Sequence, residues 1–402
     1  MKMDYNEYEL GQLLPYVQPT KYIVESTDYN DNYKTPVLTA GKTFVLGYTN
    51  EEKGIFEDLP VIIFDDFTTA SKYVNFRFKV KSSAMKILKP DLELVDPKYI
   101  YFRLQTINID HSTHKRYWIQ QFSKIKISVP PIEEQRRIVS RIEEMFSELD
   151  SAVDTLQKTR QQLEIYRQAV LKEAFEGKLT AKNHIVIDKT LHWASESETK
   201  KLPALPDEWH YIFLSKLGDL SRGKSKHRPR NDPKLFEDGK YPFIQTGDVK
   251  AADRYISTYS SMYGDFGLAQ SKLWTKGTLC ITIAANIAET AFLGIDACFP
   301  DSIVGFTASS EVEPKYIKYF IESQKLKLSA FAPATAQKNI NLKTLENLII
   351  PYCSVEEQKT IINEIESRLS VCANIESTVD EALQQAEAMR QSILKKAFEG
   401  EL

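Results

Sequence analysis

Residues 133–179 constrain the fold more than any other stretch, because they have the pattern of one long amphipathic helix. No Gly or Pro interrupts the pattern before Gly177, a typical C-terminal stop for a helix. An apolar side chain recurs every seven residues, at Ile142, Leu149, Leu156, Leu163 and Val170. A seam of this kind predicts a coiled coil, because it stays exposed to water unless a second helix covers it.

The second helix is predicted in the same chain. Residues 356–402 repeat the first stretch without a gap, at an offset of 223 positions (356 − 133 = 223), and the closing AFEGKL becomes AFEGEL. The equivalent seam positions are Ile365, Cys372, Val379, Ala386 and Ile393. We therefore predict that the two long helices pack antiparallel and that the chain consists of two similar halves.

The repeat predicts four segments, two globular domains that each lead into one long helix: 1–131, 132–179, 180–353 and 354–402. Runs rich in Val, Ile, Phe and Thr indicate strands at 38–48, 59–67, 74–80, 241–247, 278–284 and 301–308. Each globular segment also contains a short helix that opens at an acidic residue followed by proline, at Asp96-Pro97 and at Glu313-Pro314. The predicted fold class is α/β (α+β), with a pseudo-two-fold internal repeat.

The composition is that of a water-soluble, cytoplasmic protein. The chain has 402 residues, of which 42% are hydrophobic and 27% charged, and no apolar run is long enough to cross a membrane. Its first residues are acidic and polar, unlike a secretory signal. The four cysteines have no CxxC spacing, so we expect reduced thiols and no metal site. The net charge is −3, but the globular segments are near neutral and leave room for a local basic face.

Basic stretches without acidic residues are the candidate contacts to DNA. The first globular segment contains Lys72, Arg77, Lys79 and Lys81, followed by Lys86 and Lys89, and the second contains Arg222, Lys224, Lys226, Arg228 and Arg230. A third cluster, His114, Lys115 and Arg116, has Gln337, Lys338 and Asn339 as its counterpart in the second half. Lys and Arg neutralise phosphates, and Arg, Gln and Asn can also read base edges. A solvated surface is the alternative interpretation of each stretch.

Three other motifs have weaker support. Gly218 to Ser225 matches the P-loop pattern, but the prolines that follow at 229 and 233 argue against the helix that a P-loop must open. Asp91 and Asp96 resemble part of a nuclease site, although helix capping explains Asp96 better. His111 and His114 have no cysteine near them in sequence, which disfavours a metal role.

The duplicated helix motif resembles the specificity (S) subunit of type I restriction-modification systems. The similar parts are PPIEEQRRI and LKEAFEGKL in the first half, and VEEQKTI and LKKAFEGEL in the second. LPDEW, LSKLGDL, YPFIQTGDV and KNINLKTLENLIIP also resemble the target recognition domains of that family. The resemblance covers essentially the whole chain, and the duplicated unit is far more specific than a short pattern.

The resemblance implies a non-catalytic subunit with two target recognition domains, each reading one half of a bipartite double-stranded DNA target. The paired helices would set the spacing of the halves and dock two modification subunits, which bind S-adenosylmethionine and methylate adenine. Restriction subunits, which use ATP and Mg²⁺ to cut DNA, would join that core. No cofactor is expected on this chain itself. The remaining alternatives are a coiled-coil scaffold that displays two protein-binding domains and a P-loop nucleotide-binding enzyme.

Overall fold

The computed structural model describes residues 5–41, 43–107, 116–180, 191–330 and 339–402. The chain divides into two compact units. Unit 1 consists of Met1–Lys158 and Val379–Leu402, and unit 2 of Thr159–Thr378. Each unit therefore combines one globular part with a portion of both long helices. The four-segment division stays a prediction, since these units cut through the helices.

Unit 1 contains a four-stranded sheet of order β2-β8-β5-β6, a three-stranded sheet of order β4-β3-β7 and the antiparallel pair β1-β9. In chain order its elements are β1 (Asn6–Glu9), α1 (Leu10–Leu13), β2 (Tyr16–Val17), β3 (Thr35–Leu38), β4 (Val45–Thr49), β5 (Val61–Asp65), β6 (Ser71–Val74), β7 (Lys79–Val80), β8 (Met85–Leu88), α2 (Pro97–Gln105), α3 (Tyr117–Gln120) and β9 (Lys126–Val129). The first long helix, α4 (Ile132–Phe175), follows, and its last part belongs to unit 2.

Unit 2 contains a five-stranded sheet of order β11-β19-β16-β17-β13, a four-stranded sheet of order β14-β12-β18-β15 and the pair β10-β20. Its elements are α5 (Glu196–Thr199), β10 (His210–Phe213), β11 (Gly218–Arg222), β12 (Tyr241–Phe243), α6 (Thr246–Ala251), β13 (Tyr255–Ile256), β14 (Ser261–Tyr263), α7 (Asp265–Ala269), β15 (Leu273–Trp274), β16 (Leu279–Thr282), β17 (Thr290–Leu293), β18 (Ala297–Cys298), β19 (Ile303–Ala308), α8 (Pro314–Ser323), α9 (Lys325–Ala330), α10 (Leu342–Glu346) and β20 (Ile349–Tyr352). The second long helix, α11 (Val355–Glu399), follows, and its last part belongs to unit 1.

The central strand of each unit is buried on both faces, which explains its continuous apolar sequence. In β5, Ile62 and Phe64 pack into one apolar cluster, and Val61 and Ile63 pack into another. The same alternation occurs in β16, where Leu279 and Ile281 face one cluster and Cys280 faces a second. The mixture of helices and sheets confirms the predicted fold class.

Two predicted strands are each divided in the structure. The run 38–48 is a hairpin in which β3 and β4 pair antiparallel, and the backbone N–H of Thr39 donates to the carbonyl of Phe44 at 3.0 Å. The run 74–80 splits because its ends pair with different neighbours. Val74 pairs with Val61 in one sheet, whereas Lys79 pairs with Val37 in the other. The composition of these runs predicted strands, but it did not show where the chain turns or changes sheet.

The two long helices pack antiparallel, as predicted. In unit 1 the N-terminal part of α4 shares an apolar cluster with the C-terminal part of α11, where Ile142 and Phe146 lie with Ile393 and Ala397. In unit 2 the other ends pack in the same way, and Val170 shares a cluster with Ile365. Two ion pairs between the helices agree with antiparallel packing. Asp150 pairs with Arg390 in unit 1, and Arg167 pairs with Glu376 in unit 2.

Most of the predicted seam is buried. The buried members are Ile142, Leu149, Val170, Ile365, Cys372, Val379, Ala386 and Ile393. Leu156 and Leu163 are only half-buried. Both lie outside the apolar clusters that the globular parts form with the helix ends. Cys372 and Val379 lie outside these clusters as well, but they are buried. In the middle of the seam, the positions of α11 are therefore more deeply buried than those of α4.

Candidate nucleic-acid interface

The second basic stretch lies on a loop at the end of β11 in unit 2. The loop leaves the sheet at Gly223, where a Cβ atom would lie 2.3 Å from the carbonyl oxygens of both Phe299 and Pro300. Only glycine fits such a close backbone approach. Arg222 and Arg230 then bind Asp301. The Nε of Arg222 donates to its carbonyl at 2.9 Å, and Nη2 of Arg230 lies 2.8 and 3.0 Å from its two carboxylate oxygens.

Arg228 and His227 stabilise the same loop. Nη1 of Arg228 donates to the carbonyl oxygens of Ser225 and His227, at 2.6 and 2.8 Å. Nε2 of His227 lies 2.7 Å from Oδ2 of Asp232, and this hydrogen bond holds the pKa of the Asp232 carboxyl below its usual value. The three arginines are therefore engaged with the protein and hold the shape of the loop.

Lys224 and Lys226 are the cations that this loop presents to solvent. Both side chains are exposed, and neither forms an ion pair with any residue that the structure describes. The backbone around them is fixed, because the carbonyl of Lys224 accepts from Ser271 and the N–H of Lys226 donates to Gln270. An uncompensated cation on a fixed loop is suited to binding a phosphate.

The first basic stretch has a different environment. Lys79 is 3% exposed, its Nζ lies 2.7 Å from Oε2 of Glu51, and it donates to the carbonyl of Lys53 at 2.7 Å. Burial raises the pKa of Glu51, but hydrogen bonds from Lys79 and from the N–H groups of Ser26 and Glu25 outweigh it, so the pKa lies below its usual value. Lys79 is buried and cannot reach a phosphate without leaving this pair, and we exclude it from the interface.

Three neighbours of Lys79 in the sequence are also paired with acids. Lys86 is buried, with Nζ 3.7 Å from Oδ2 of Asp66. Arg77 lies 4.0 Å from Glu57, and Lys89 pairs with Asp58. Within the described ranges, Lys72 and Lys81 form no ion pair; Lys81 is exposed and Lys72 half-buried. The run of cations in the sequence is therefore largely neutralised by the acids of residues 51–66.

The third cluster falls mostly outside the described residues, namely at His114, Lys115, Gln337 and Lys338. Arg116 and Asn339 are described and both are exposed. Arg116 precedes an anchored segment, since the N–H groups of Tyr117 and Trp118 donate to Asp66 at 3.0 and 2.8 Å. Asn339 likewise forms a backbone bridge with Ala284. In both units this position therefore lies beside the end of the central strand.

The competing motifs have structural explanations. Gly218 to Arg222 is strand β11, paired antiparallel with β19, and no helix follows it in residues 223–232. This is not the strand-to-helix geometry of a P-loop. Asp96 caps α2, because its Oδ1 accepts from the N–H groups of Lys98 and Tyr99. Among the residues with described positions, no cluster of three or more His, Cys, Asp or Glu could hold a metal.

None of the helices in the described ranges is both long enough and apolar enough to cross a bilayer.

Two buried glutamines in the repeated EEQ motifs were not predicted as important. Oε1 of Gln135 accepts from the N–H of Asp96 at 2.8 Å, and its Nε2 donates to the carbonyls of Leu94 and Pro130. Gln358 repeats this contact, with Oε1 accepting from the N–H of Glu313 at 2.9 Å. The sequence did contain a signal for these glutamines. The same polar residue occurs at the start of both long helices, at the offset of 223 that also relates the seam positions (358 − 135 = 223).

An ion pair at equivalent positions of the two units also connects each short helix to a long helix. Lys98 of α2 pairs with Glu143 of α4, and Lys315 of α8 pairs with Glu366 of α11 at 2.9 Å. In unit 2, Arg254 also contacts Glu366 at 3.0 Å. The halves thus share one frame, while their basic stretches occupy different positions.

The comparisons with known proteins agree with this duplicated frame. The family model for the type I restriction modification DNA specificity domain matches at residues 2–164 and 206–385. The chain is 30% identical over 377 residues to the EcoR124I/EcoR124II specificity subunit of Escherichia coli, which covers 88% of this chain and 84% of the relative. Identity to the EcoKI specificity subunit of E. coli K12 is 26% over 298 residues, covering 70% of this chain and 58% of the relative.

Solved structures share the fold. One is a chain from work on complex assembly and conformational transition of the type I R-M system, with a TM-score of 0.71 and 18% identity over 99% of this chain and 98% of that one. The HsdS subunit from Thermoanaerobacter tengcongensis has a TM-score of 0.53 and 18% identity, covering 99% and 97%. With the family match over both halves and the relative at 30% identity, the chain belongs to the family of type I restriction-modification specificity subunits.

Proposed function

We propose that this chain reads DNA for a type I restriction-modification complex and performs no catalysis itself. The observation that carries the proposal is the duplication of the specificity domain, matched at 2–164 and 206–385. Each globular part is joined to a long helix by an equivalent buried glutamine, Gln135 or Gln358. We infer that the two domains read separate halves of one target, and that the paired helices set the spacing between them.

The two domains use different contacts. In the second domain, Lys224 and Lys226 bind phosphates, and the arginines at 222, 228 and 230 hold the loop that presents them. In the first domain, Lys72, Lys81 and Arg116 are the phosphate contacts that remain after the paired cations are excluded. Asn339, and the cluster members outside the described residues, are the candidates for reading base edges.

Modification subunits dock on the long helices. Exposed apolar side chains support this part of the proposal: Ile165 and Val371 are 69% and 57% exposed, and Tyr166 and Ile375 are also exposed. All four belong to unit 2. The ion pair between Arg167 and Glu376 places Tyr166 and Ile375 at the same level of the helix pair. Apolar side chains grouped on a solvent-facing helix surface are typical of a binding site for another protein.

The chemistry of the complex resides in these partners. The modification subunits hold S-adenosylmethionine, and the restriction subunits hold ATP and Mg²⁺. We place the assembly in the cytoplasm, where it meets chromosomal DNA.

Mapping of methylated bases tests the function. The chain is produced with its modification subunits, and the genome of the producing cell is sequenced by a single-molecule method that detects methylated adenine. We expect one motif made of two specific blocks separated by an unread spacer. A motif with one uninterrupted block, or methylation without any motif, would contradict the proposal. Omission of the chain is the control, and it should abolish methylation at the motif.

A further inference from the structure

A cavity of about 450 Å³ opens beside the basic loop of unit 2. One side of it is formed by Phe236 and Phe243, and much of the rest by neutral polar side chains, among them Asn231, Thr246, Ser261 and Ser302. Pockets of about 300–1,000 Å³ hold drug-sized ligands. The cavity is therefore large enough for one planar ring system with its substituents.

The aromatic side of the cavity is held in place from behind. The ring of Phe243 stacks on Tyr263, with centroids 4.0 Å apart and an interplanar angle of 19°. The ring of Phe236 lies 5.3 Å from the same tyrosine. Tyr263 is almost completely buried, so it cannot move away from these contacts. A fixed aromatic surface of this kind is a stacking platform for a flat ligand.

The polar side chains of the cavity have unused hydrogen-bond donors and acceptors. The side chains of Asn231, Thr246, Ser261 and Ser302 form no hydrogen bond with any protein group in the described part of the chain. Together they offer both donors and acceptors. Among the described residues, no carboxylate lines the cavity, and the cation in its lining, Arg230, is already paired with Asp301. A phosphate would lack a free cation here, whereas a neutral ring with donors and acceptors would find partners.

We propose that this cavity accepts one nucleobase turned out of the duplex in the half-site that unit 2 reads. The inference rests on the proposed function, since the DNA must first lie along the basic loop. Lys224 and Lys226 would hold the flanking phosphates. A fully stacked duplex has no base that could enter a cavity, so one nucleotide must rotate out and its pairing must be broken. The base then stacks on the Phe236 and Phe243 side and binds the neutral polar groups.

Duplexes with one abasic site test the proposal. The chain is assembled with its modification subunits, and binding is measured for duplexes in which each base of the mapped target in turn faces an abasic site. Extrusion is easier for a base that has lost its pairing partner. At one base of the second half-site, we therefore expect the duplex with the opposing abasic site to bind at least about tenfold tighter than the intact duplex. This corresponds to about 1.4 kcal/mol. Duplexes with the abasic site opposite a methylated adenine should also bind more tightly, because the modification subunit must extrude that adenine.

Variants separate the two sources of gain. Ser261→Trp fills the cavity. It should abolish the gain in affinity at the one base of the second half-site and leave the gain at the methylated adenines unchanged. Ser260→Trp is the matched control, because Ser260 is an exposed neighbour that does not line the cavity. If Ser261→Trp fails to fold, Asn231→Trp on the exposed loop replaces it. The inference would be overturned if only the methylated adenines showed a gain in affinity, or if the gain at the other base persisted in the variant with the filled cavity. Loss of sequence selectivity in the parent complex would instead overturn the proposed function, and the inference with it.

Discussion

Gln135 is completely buried at the start of α4, and its Oε1 accepts a 2.8 Å hydrogen bond from the backbone N–H of Asp96. The acceptor ties the long helix to the residue that caps α2, and the amide group of the same side chain donates to the carbonyls of Leu94 and Pro130. Gln358 makes the equivalent contact to Glu313 before α8. One uncharged side chain per half therefore fixes the angle at which each globular part meets its helix.

The first prediction concerns this joint. Gln135→Ala removes three hydrogen bonds from a buried site and leaves the Asp96 N–H and two carbonyls without their partner. Each buried group left unsatisfied costs about 1–3 kcal/mol, so we expect a clear fall in the free energy of unfolding. Thermal unfolding measures it. Glu133→Ala is the control from the same motif, because the Glu133 side chain is 86% exposed. Equal effects of the two substitutions would contradict the assigned role.

The second prediction separates a structural lysine from a binding one. Lys79→Met leaves the Glu51 carboxylate, whose side chain is 18% exposed, without its buried partner. Loss of one member of a fully buried pair costs about 3–5 kcal/mol, and because Glu51 is only partly buried we expect a loss at the lower end of that range or below it. Lys81→Met removes an exposed cation and should have little effect on stability, but it should weaken DNA binding for all sequences alike. Chemical denaturation and DNA titration distinguish them. The assignment fails if Lys79→Met is as stable as the parent and binds DNA less tightly.

The same pair predicts a pH dependence. The folded-state pKa of Glu51 lies below the ordinary value of 4.5. The pair therefore contributes its full stabilisation above about pH 4.5, where the unfolded state is also ionised, and loses it as the pH falls through the lower folded pKa. Denaturation at a series of pH values should show this loss in the parent. Lys79→Met should reduce it, and an unchanged pH profile in the variant would argue against the pair.

The fourth prediction concerns the exposed lysines of unit 2. Lys224→Ala and Lys226→Ala should each weaken binding uniformly across sequences and reduce the slope of log affinity against log salt by about one. Lys172→Ala is a suitable control, because Lys172 lies on α4, is 74% exposed and belongs to neither basic stretch. A change confined to one base, with the salt slope unaltered, would show that the lysine reads sequence instead.

The long helices and their pairing could be predicted because a heptad repeat is a local pattern with one structural solution. The seam at Ile142 and Ile393 is buried as the spacing required. The division into two similar halves also followed from the sequence, because the helices repeat without a gap. Only the depth of burial at Leu156 and Leu163 was overestimated, since spacing alone does not say how much of the partner helix covers each position.

The charge environment of the first basic stretch could not be predicted. Lys79 and Lys86 are adjacent to other cations in the sequence, whereas the acids that neutralise them, Glu51 and Asp66, come from earlier strand ends and loops. Only the sheet pairing brings these groups together. The cavity beside Phe243 was missed for the same reason, because its lining comes from several segments between Ser225 and Ser302.

Exchange of residues 180–353 for the same segment of a relative tests the central claim most directly. The parent and the exchanged chain are each assembled with the same modification subunits, and methylated adenines are mapped by single-molecule sequencing. Because each unit has its own core and its own contacts, the exchange should replace the second block of the target and leave the first block unchanged. If both blocks change, or neither does, the two domains do not read DNA independently and the account is wrong.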